Sequence, residues 1–179
     1  MNVDLELAYR IAYNDIPYDR ILNQLSKADS IENEKLYCID IIVPKGHEDE
    51  LKLKLREELK TRFGLQAYFE THLKPVYVLQ IADLTKIAQL KKSTGAAESV
   101  AAMHGNYAGE DINLSKIADY LEDYGLVKIS VLDGTDNNTK YDIAFTFMPE
   151  KSGDLEKTLL NLGLTLKKEN RDIDMLVFR

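Results

Sequence analysis

The chain has no tryptophan, a single cysteine, and no apolar run approaching the roughly 18 residues that a membrane-spanning helix needs. Each shortage excludes something. One cysteine, Cys38, rules out an internal disulfide and a CxxC redox pair, although it does not discriminate compartments. The opening Met1-Asn2-Val3-Asp4 lacks the basic start and apolar middle of a signal peptide. Positive charge is also short. The net charge is −7, with acids and bases interspersed, so there is no basic footprint for nucleic acid and no such partner is expected. The three histidines, His47, His72 and His104, show no HxH or HExxH spacing, and no metal is assigned to them. Neither a nucleophile elbow nor a glycine-rich phosphate loop occurs, so no catalytic residue and no cofactor is assigned.

Cys38 is the obvious nucleophile to weigh. It lies in an expected strand beside Asp40, with no basic neighbour or helix N-terminus to lower its pKa, and reads as a small residue on the second sheet face. Asp133-Gly134-Thr135-Asp136-Asn137-Asn138 superficially resembles a calcium loop, but it lacks the alternating ligands and distal glutamate of that motif and reads as a hairpin turn. Ten tyrosines stand in for the missing tryptophan. Tyr9, Tyr37, Tyr120 and Tyr141 occupy core-periodic positions, whereas Tyr18, Tyr68, Tyr107 and Tyr124 are free to form a contact surface.

What the chain does have is ordinary globular material, patterned twice. Its 179 residues, 45% hydrophobic and 30% charged, can bury roughly two thirds of the unfolded surface without a disulfide or a metal. The strongest pattern is Phe63-Gly64-Leu65 followed by Pro75-Val76-Tyr77-Val78-Leu79. It recurs as Leu162-Gly163-Leu164 followed by Met175-Leu176-Val177-Phe178, with no gap between glycine and strand in either copy. Each glycine reads as the left-handed stop of a helix, and each following stretch as a β-hairpin.

The rest of the chain falls around these two points. Leu5, Ala8, Tyr9 and Ala12 repeat at helical spacing, and Leu114, Ile117, Ala118 and Leu121 follow at the same spacing. Asp111-Ile112-Asn113 offers an N-cap for the second of these helices, and Gly125 a stop. A short helix is expected over residues 18–28 after Pro17, whereas the second copy has an alternating strand from Val127 to Leu132. Tyr37, Ile39, Ile41 and Val43 alternate with polar or second-face residues, as do Tyr141, Ile143, Phe145 and Phe147. Leu51, Leu55, Leu59 and Phe63 line a helix with acids at its start and bases at its end, matched by Leu155, Leu159 and Leu162. Residues 91–102 carry little large apolar material and read as a mobile linker. His104-Gly105-Asn106-Tyr107-Ala108-Gly109 offers a leading strand for which the first copy has no room.

These residues in this order resemble a soil-associated bacterial domain family of unknown function. The likeness runs through Val3-Asp4-Leu5, Tyr37-x-Ile39, Leu59-x-x-x-Phe63-x-Leu65, Tyr141-Asp142-Ile143 and Met175-Leu176-Val177, and so covers nearly the whole chain. The resemblance implies an exported or envelope-facing domain. Relatives carry a signal peptide, or are fused to membrane-embedded metallopeptidase-like sensors or thioredoxin-like domains. It implies no catalytic residues. The family's leading strand before the first helix is missing here, as is an export signal, which fits a cut-out fragment. At fold level only, the paired units are also similar to the short signalling domains of secretins and TonB-dependent receptors.

The resulting expectation is an α+β protein of two tandem pseudo-repeats, each helix–strand–helix–β-hairpin, with helices packed on antiparallel or mixed sheets. The first repeat spans residues 1–90, a linker 91–104, and the second repeat 105–179. Function is expected to be non-catalytic protein interaction or sensing in the bacterial cell envelope. The alternative is an accessory, substrate-positioning domain of a thiol–disulfide enzyme. The partner is expected to be another envelope protein or an upstream domain of the same chain, with no membrane insertion by this segment. A partner strand is expected to add to a free sheet edge near Val3 or Val76.

Overall fold

The computed structural model describes residues 2–25, 35–95, 97–124, 127 and 129–179, and the fold is α+β. Contacts divide the chain into two compact units, Met1–Leu73 with Asp172–Arg179, and Lys74–Arg171. These boundaries differ from the expected tandem division at 1–90, 91–104 and 105–179. The reason lies in two long strands, each of which begins in one unit and ends in the other.

In the first unit, β1 (Asn2–Val3) leads into α1 (Leu5–Ala12). Asp4 caps the helix, its Oδ1 accepting from the Leu7 N–H at 2.7 Å. The inward face of α1, Leu5, Ala8, Tyr9 and Ala12, is buried against Leu55, Leu59 and Leu176. Each fully buried leucine stabilises by roughly 1.5–3 kcal/mol. Leu55 and Leu59 belong to α2 (Leu51–Phe63), which stops at Gly64 with φ 68° as the sequence requires. The strand after it, β4 (Ala67–Ile81), is a single 15-residue strand rather than a hairpin.

Two further expectations change in this unit. Residues 18–28 do not start a helix: a 3-10 turn at Tyr18–Arg20 gives way to β2 (Ile21–Asn23). Ile21 and Leu22 lie parallel to the end of β9 (Leu164–Phe178), with Ile21 opposite Leu176 and Leu22 opposite Val177. Strand pairing outweighs the helical spacing here, and positions 26–28 lie outside the described residues. The strand expected from Tyr37 to Val43 narrows to β3 (Tyr37–Cys38), antiparallel to β1. Beyond Cys38 the alternation survives only as exposure: Ile39, Ile41 and Val43 are half-buried, and Asp40 and Ile42 are exposed.

The second unit holds α3 (Leu84–Gln89), β5 (Ser99–Met103), β6 (Asn106–Ile112), α4 (Ser115–Asp123), β7 (Val131–Asp133), β8 (Tyr141–Thr146) and α5 (Asp154–Leu162). Strands β5, β6 and β8 form an antiparallel sheet with β6 in the middle. Tyr141, Ile143, Phe145 and Phe147 are all buried, in one core with Tyr107, Leu114, Ile117 and Leu121. Gly163 closes α5 with φ 88°, and a Cβ there would sit 2.7 Å from the Asp83 carbonyl oxygen. Position 163 therefore needs glycine for space as well as for conformation.

β9, like β4, is one continuous strand, and the two are neighbours. Gln66 and Arg179 exchange backbone hydrogen bonds of 2.9 and 3.1 Å, while Ala82 N–H donates to Gly163 at 2.8 Å. One chain position rises as the other falls, so the strands run antiparallel. Each finds its ladder in the other, which removes any need for two local hairpins.

The expected mobile linker is also structured. Its last residues form β5, and Lys91 makes a 2.8 Å ion pair with Asp142. Lys140 joins Asp111 at 2.8 Å and Glu98 at 3.3 Å. Hydrogen bonds from Lys140 and Ser93 hold the Asp111 carboxyl below its usual range, and the bond from Lys91 does the same for Asp142. The polarity of Lys91, Ser93 and Glu98 thus records ion pairs and hydrogen bonds, not freedom.

Candidate functional site

The feature that stands out is the continuation of β3. Residues 39–43 carry the alternation of a strand, yet among the described residues their backbone groups make no hydrogen bond. An extended segment with unpaired N–H and C=O groups is a ready template for another strand. Beside it runs α2, with Tyr37 packed edge-on to Phe63 at 4.8 Å between ring centres. A groove of about 830 Å³ lies between them, from Cys38 and Asp40 across to Glu58 and Arg62. A smaller apolar space of about 300 Å³ is lined by Val3, Ala8, Ile11, Ile39, Ile41 and Leu55. Ile42, on the opposite side of the segment, is 85% exposed.

The rim of the groove is polar and carries two exposed ion pairs. Arg62 reaches Glu58 at 3.3 Å and Lys54 reaches Glu50 at 3.6 Å, all four side chains being well exposed. Such pairs contribute little to stability. The lining also carries Asp40 and Glu57, so its charged side chains are three acids and two bases.

The residues weighed from the sequence do not assemble into a chemical site. Cys38 is a free, exposed thiol on β3. The His47 ring meets Glu50 at 2.7 Å, and the His72 ring meets Glu70 at 3.1 Å. His104 occupies the turn between β5 and β6 with φ 48°. No group of three or more His, Cys, Asp or Glu side chains gathers among the described residues. The segment from Gly134 to Asn138, which follows β7, is a loop but not a hairpin turn. β7 pairs in parallel with β4, whereas β8 belongs to the sheet of β5 and β6. Gly134 N–H donates to Leu79 at 2.9 Å, holding the loop against β4. Asp133 and Asn137 accept from Thr135 and Thr139 within the loop.

The four tyrosines considered for a contact surface separate, and Tyr68 is a half-buried residue of β4 with the Arg179 guanidinium 5.2 Å from its ring centre. Tyr107 is a core residue, stacked on Phe145 at 5.0 Å and tilted against Tyr120 at 4.9 Å. Tyr18 is exposed with the Arg10 guanidinium 3.5 Å above its ring. Tyr124, also exposed, donates to the Ala102 carbonyl at 3.1 Å. The free edge itself differs in place from the one expected: Val76 is buried in β4 between β9 and β7, and Val3 is already paired with Tyr37.

With this geometry in hand, the family model described as "Protein of unknown function (DUF3738)" matches residues 7–179. The chain belongs to that family. Comparison with curated proteins and with solved structures finds no match. The matched span includes residues 39–43, α2 and both long strands, so the open edge lies within the family domain. Among the described residues no helix is long and apolar enough to cross a membrane.

Proposed function

We propose that this chain is a non-catalytic protein-interaction or sensory domain of the bacterial cell envelope, built from two copies of one helix–strand–helix–strand unit. The interaction reading is carried by one observation: an unpaired, alternating segment at residues 39–43 beside an apolar groove. Main-chain hydrogen bonds give such an edge affinity without any catalytic constellation. The repeat is supported by matching positions. Tyr77 and Leu176 follow Gly64 and Gly163 at the same distance, and they pair in parallel with Val131 and Ile21 respectively. The envelope location rests on the family resemblance of the quoted motifs.

The test has two readings. Fractionation of the host places the native protein, and recovery from the cytosol alone removes the envelope role. Immobilised protein is then challenged with envelope extract, and any retained protein is purified and titrated back. Saturable binding of a purified partner supports the interaction role; failure of every retained protein to bind when pure counts against it.

A further inference from the structure

The antiparallel sheet of β5, β6 and β8 has two edges, and the chain treats them differently. On the β8 side residues 91–93 run alongside. Asp142 N–H donates to Lys91 at 2.9 Å, Ser93 N–H donates to Lys140 at 3.0 Å, and Lys92 stands opposite Tyr141. On the β5 side no strand pairs with the sheet among the described residues. Natural sheets blunt an edge of that kind with a charge, a proline or a bulge. Ser99–Met103 reads Ser-Val-Ala-Ala-Met, without charge or proline, and it keeps an unbroken register with β6.

The register fixes which groups are open. His104 and Gly105, at φ 48° and 79°, make a two-residue turn that closes on the Met103–Asn106 pair. Met103, Ala101 and Ser99 therefore aim their main-chain N–H and C=O groups at β6, while Val100 and Ala102 aim theirs outward. The Ala102 carbonyl agrees with this, accepting from the Tyr124 hydroxyl at 3.1 Å. Val100, Met103 and Tyr124 are large exposed side chains gathered at the same edge.

We infer that β5 pairs antiparallel with β5 of a second copy of this chain, about a two-fold axis at Ala101, joining the two sheets into one. Val100 then exchanges N–H and C=O hydrogen bonds with Ala102 of the second copy, which satisfies the outward groups on both strands. Tyr124, held beside Ala102, meets Val100 of the second copy on the helix side of the sheet, and Met103 meets Ser99 on the other. Charge selects both the occupant and the register. The same axis sets Glu98 opposite the His104 ring of the second copy, a carboxylate facing an imidazole that can donate to it. Glu98 is kept at this edge by Lys140 at 3.3 Å and Lys116 at 3.7 Å. An axis at Val100 or at Ala102 would instead set Glu98 opposite Ala102 or Asn106. The contact closes on itself, so neither β5 is left exposed. It lies in the second unit and goes beyond the interaction reading above, which neither supports it nor depends on it.

The full 179-residue protein is followed by sedimentation over a concentration series, with amide hydrogen exchange read residue by residue. A dimer is expected, and the Val100 and Ala102 amides should slow as its population rises. Val100→Lys puts a charge on the pairing edge and is expected to raise the dissociation constant about tenfold or more with circular dichroism unchanged, whereas Val100→Thr retains the dimer. His104→Lys and His104→Glu place equal demands on the left-handed backbone and differ in charge. The lysine variant is expected to dimerise about tenfold or more tightly than the glutamate variant. A chain that stays monomeric up to about 1 mM overturns the inference, including one whose β5 instead takes a strand from another protein. So does a dimer in which Val100 and Ala102 exchange at the monomer rate, or one indifferent to Val100→Lys. Equal dimerisation of the two His104 variants overturns the axis at Ala101.

Discussion

The two units solve the same packing problem with different amounts of chain. In the second, β6 runs between β5 and β8 and seals the apolar faces of Ile143, Phe145 and Phe147. In the first, β1 supplies two rungs, and Ile39 and Ile41 remain half-buried around an empty space. Both units nevertheless keep a helix that stops at a glycine, α2 at Gly64 and α5 at Gly163. Helices and strands bury a core in each unit, and the two differ in how far the sheet beside them is paired.

The largest effect is expected from making the second unit resemble the first. Tyr107→Ala removes the ring that seals it and should destabilise by about 3–5 kcal/mol in urea unfolding. Ile41→Ala, at the corresponding open place, should cost less than about 2 kcal/mol because its side chain is only half-buried. Equal losses would erase the distinction between sealed and open sheets. Tyr107→Phe sharpens it further. The Tyr107 hydroxyl is buried with no hydrogen-bond partner among the described residues, so its removal should be neutral or stabilising.

Next in size is the contrast between the two helix-stopping glycines. Gly64→Ala meets open space and carries only the left-handed backbone cost of about 1–2 kcal/mol. Gly163→Ala carries that cost plus overlap with Asp83 and Lys86, adding about 1–3 kcal/mol. Denaturant midpoints of the two variants measure the difference, and a larger loss at Gly64 would contradict the close approach seen at Gly163.

The smallest effect is at alkaline pH. Burial, reinforced by neighbouring Tyr13, raises the Tyr9 hydroxyl from 10.0 to about 12 in the first unit, and burial also raises Tyr107 in the second. The unfolded chain releases these protons first, so above pH 10 it holds fewer protons than the folded chain. Stability is then complete below the ordinary tyrosine value of 10.0 and falls as pH rises toward about 12. Tyr9→Phe should flatten that decline, as followed by thermal melts between neutral and high pH. An unchanged slope would place the Tyr9 hydroxyl in contact with water.

Much of this was legible in residue order, and the illegible part follows a rule. Periodicity correctly marks the inner faces of α1 and α4, because helical contacts lie three and four residues away. Alternation marks Tyr141, Ile143, Phe145 and Phe147 as one buried face. It fails at Ile21 and Leu22, whose helical spacing is overridden by pairing with Leu176 and Val177. It fails again after Gly64 and Gly163, where each presumed hairpin is one strand whose partner begins about a hundred residues away in sequence. A free edge was expected near Val3 or Val76, whereas the unpaired segment lies at residues 39–43, a place that follows from a register no local pattern encodes.

Sequence alone therefore determined the helix stops at Gly64 and Gly163 and the apolar faces, since these depend on neighbours along the chain and on side-chain identity, whereas the stop expected at Gly125 lies outside the described residues. Tertiary structure alone decided that β4 and β9 pair with each other, that Lys91 and Glu98 are held in ion pairs, and that Ile39 and Ile41 line an apolar space. Those outcomes depend on hydrogen-bond partners and packing from distant residues, which a one-dimensional pattern does not specify.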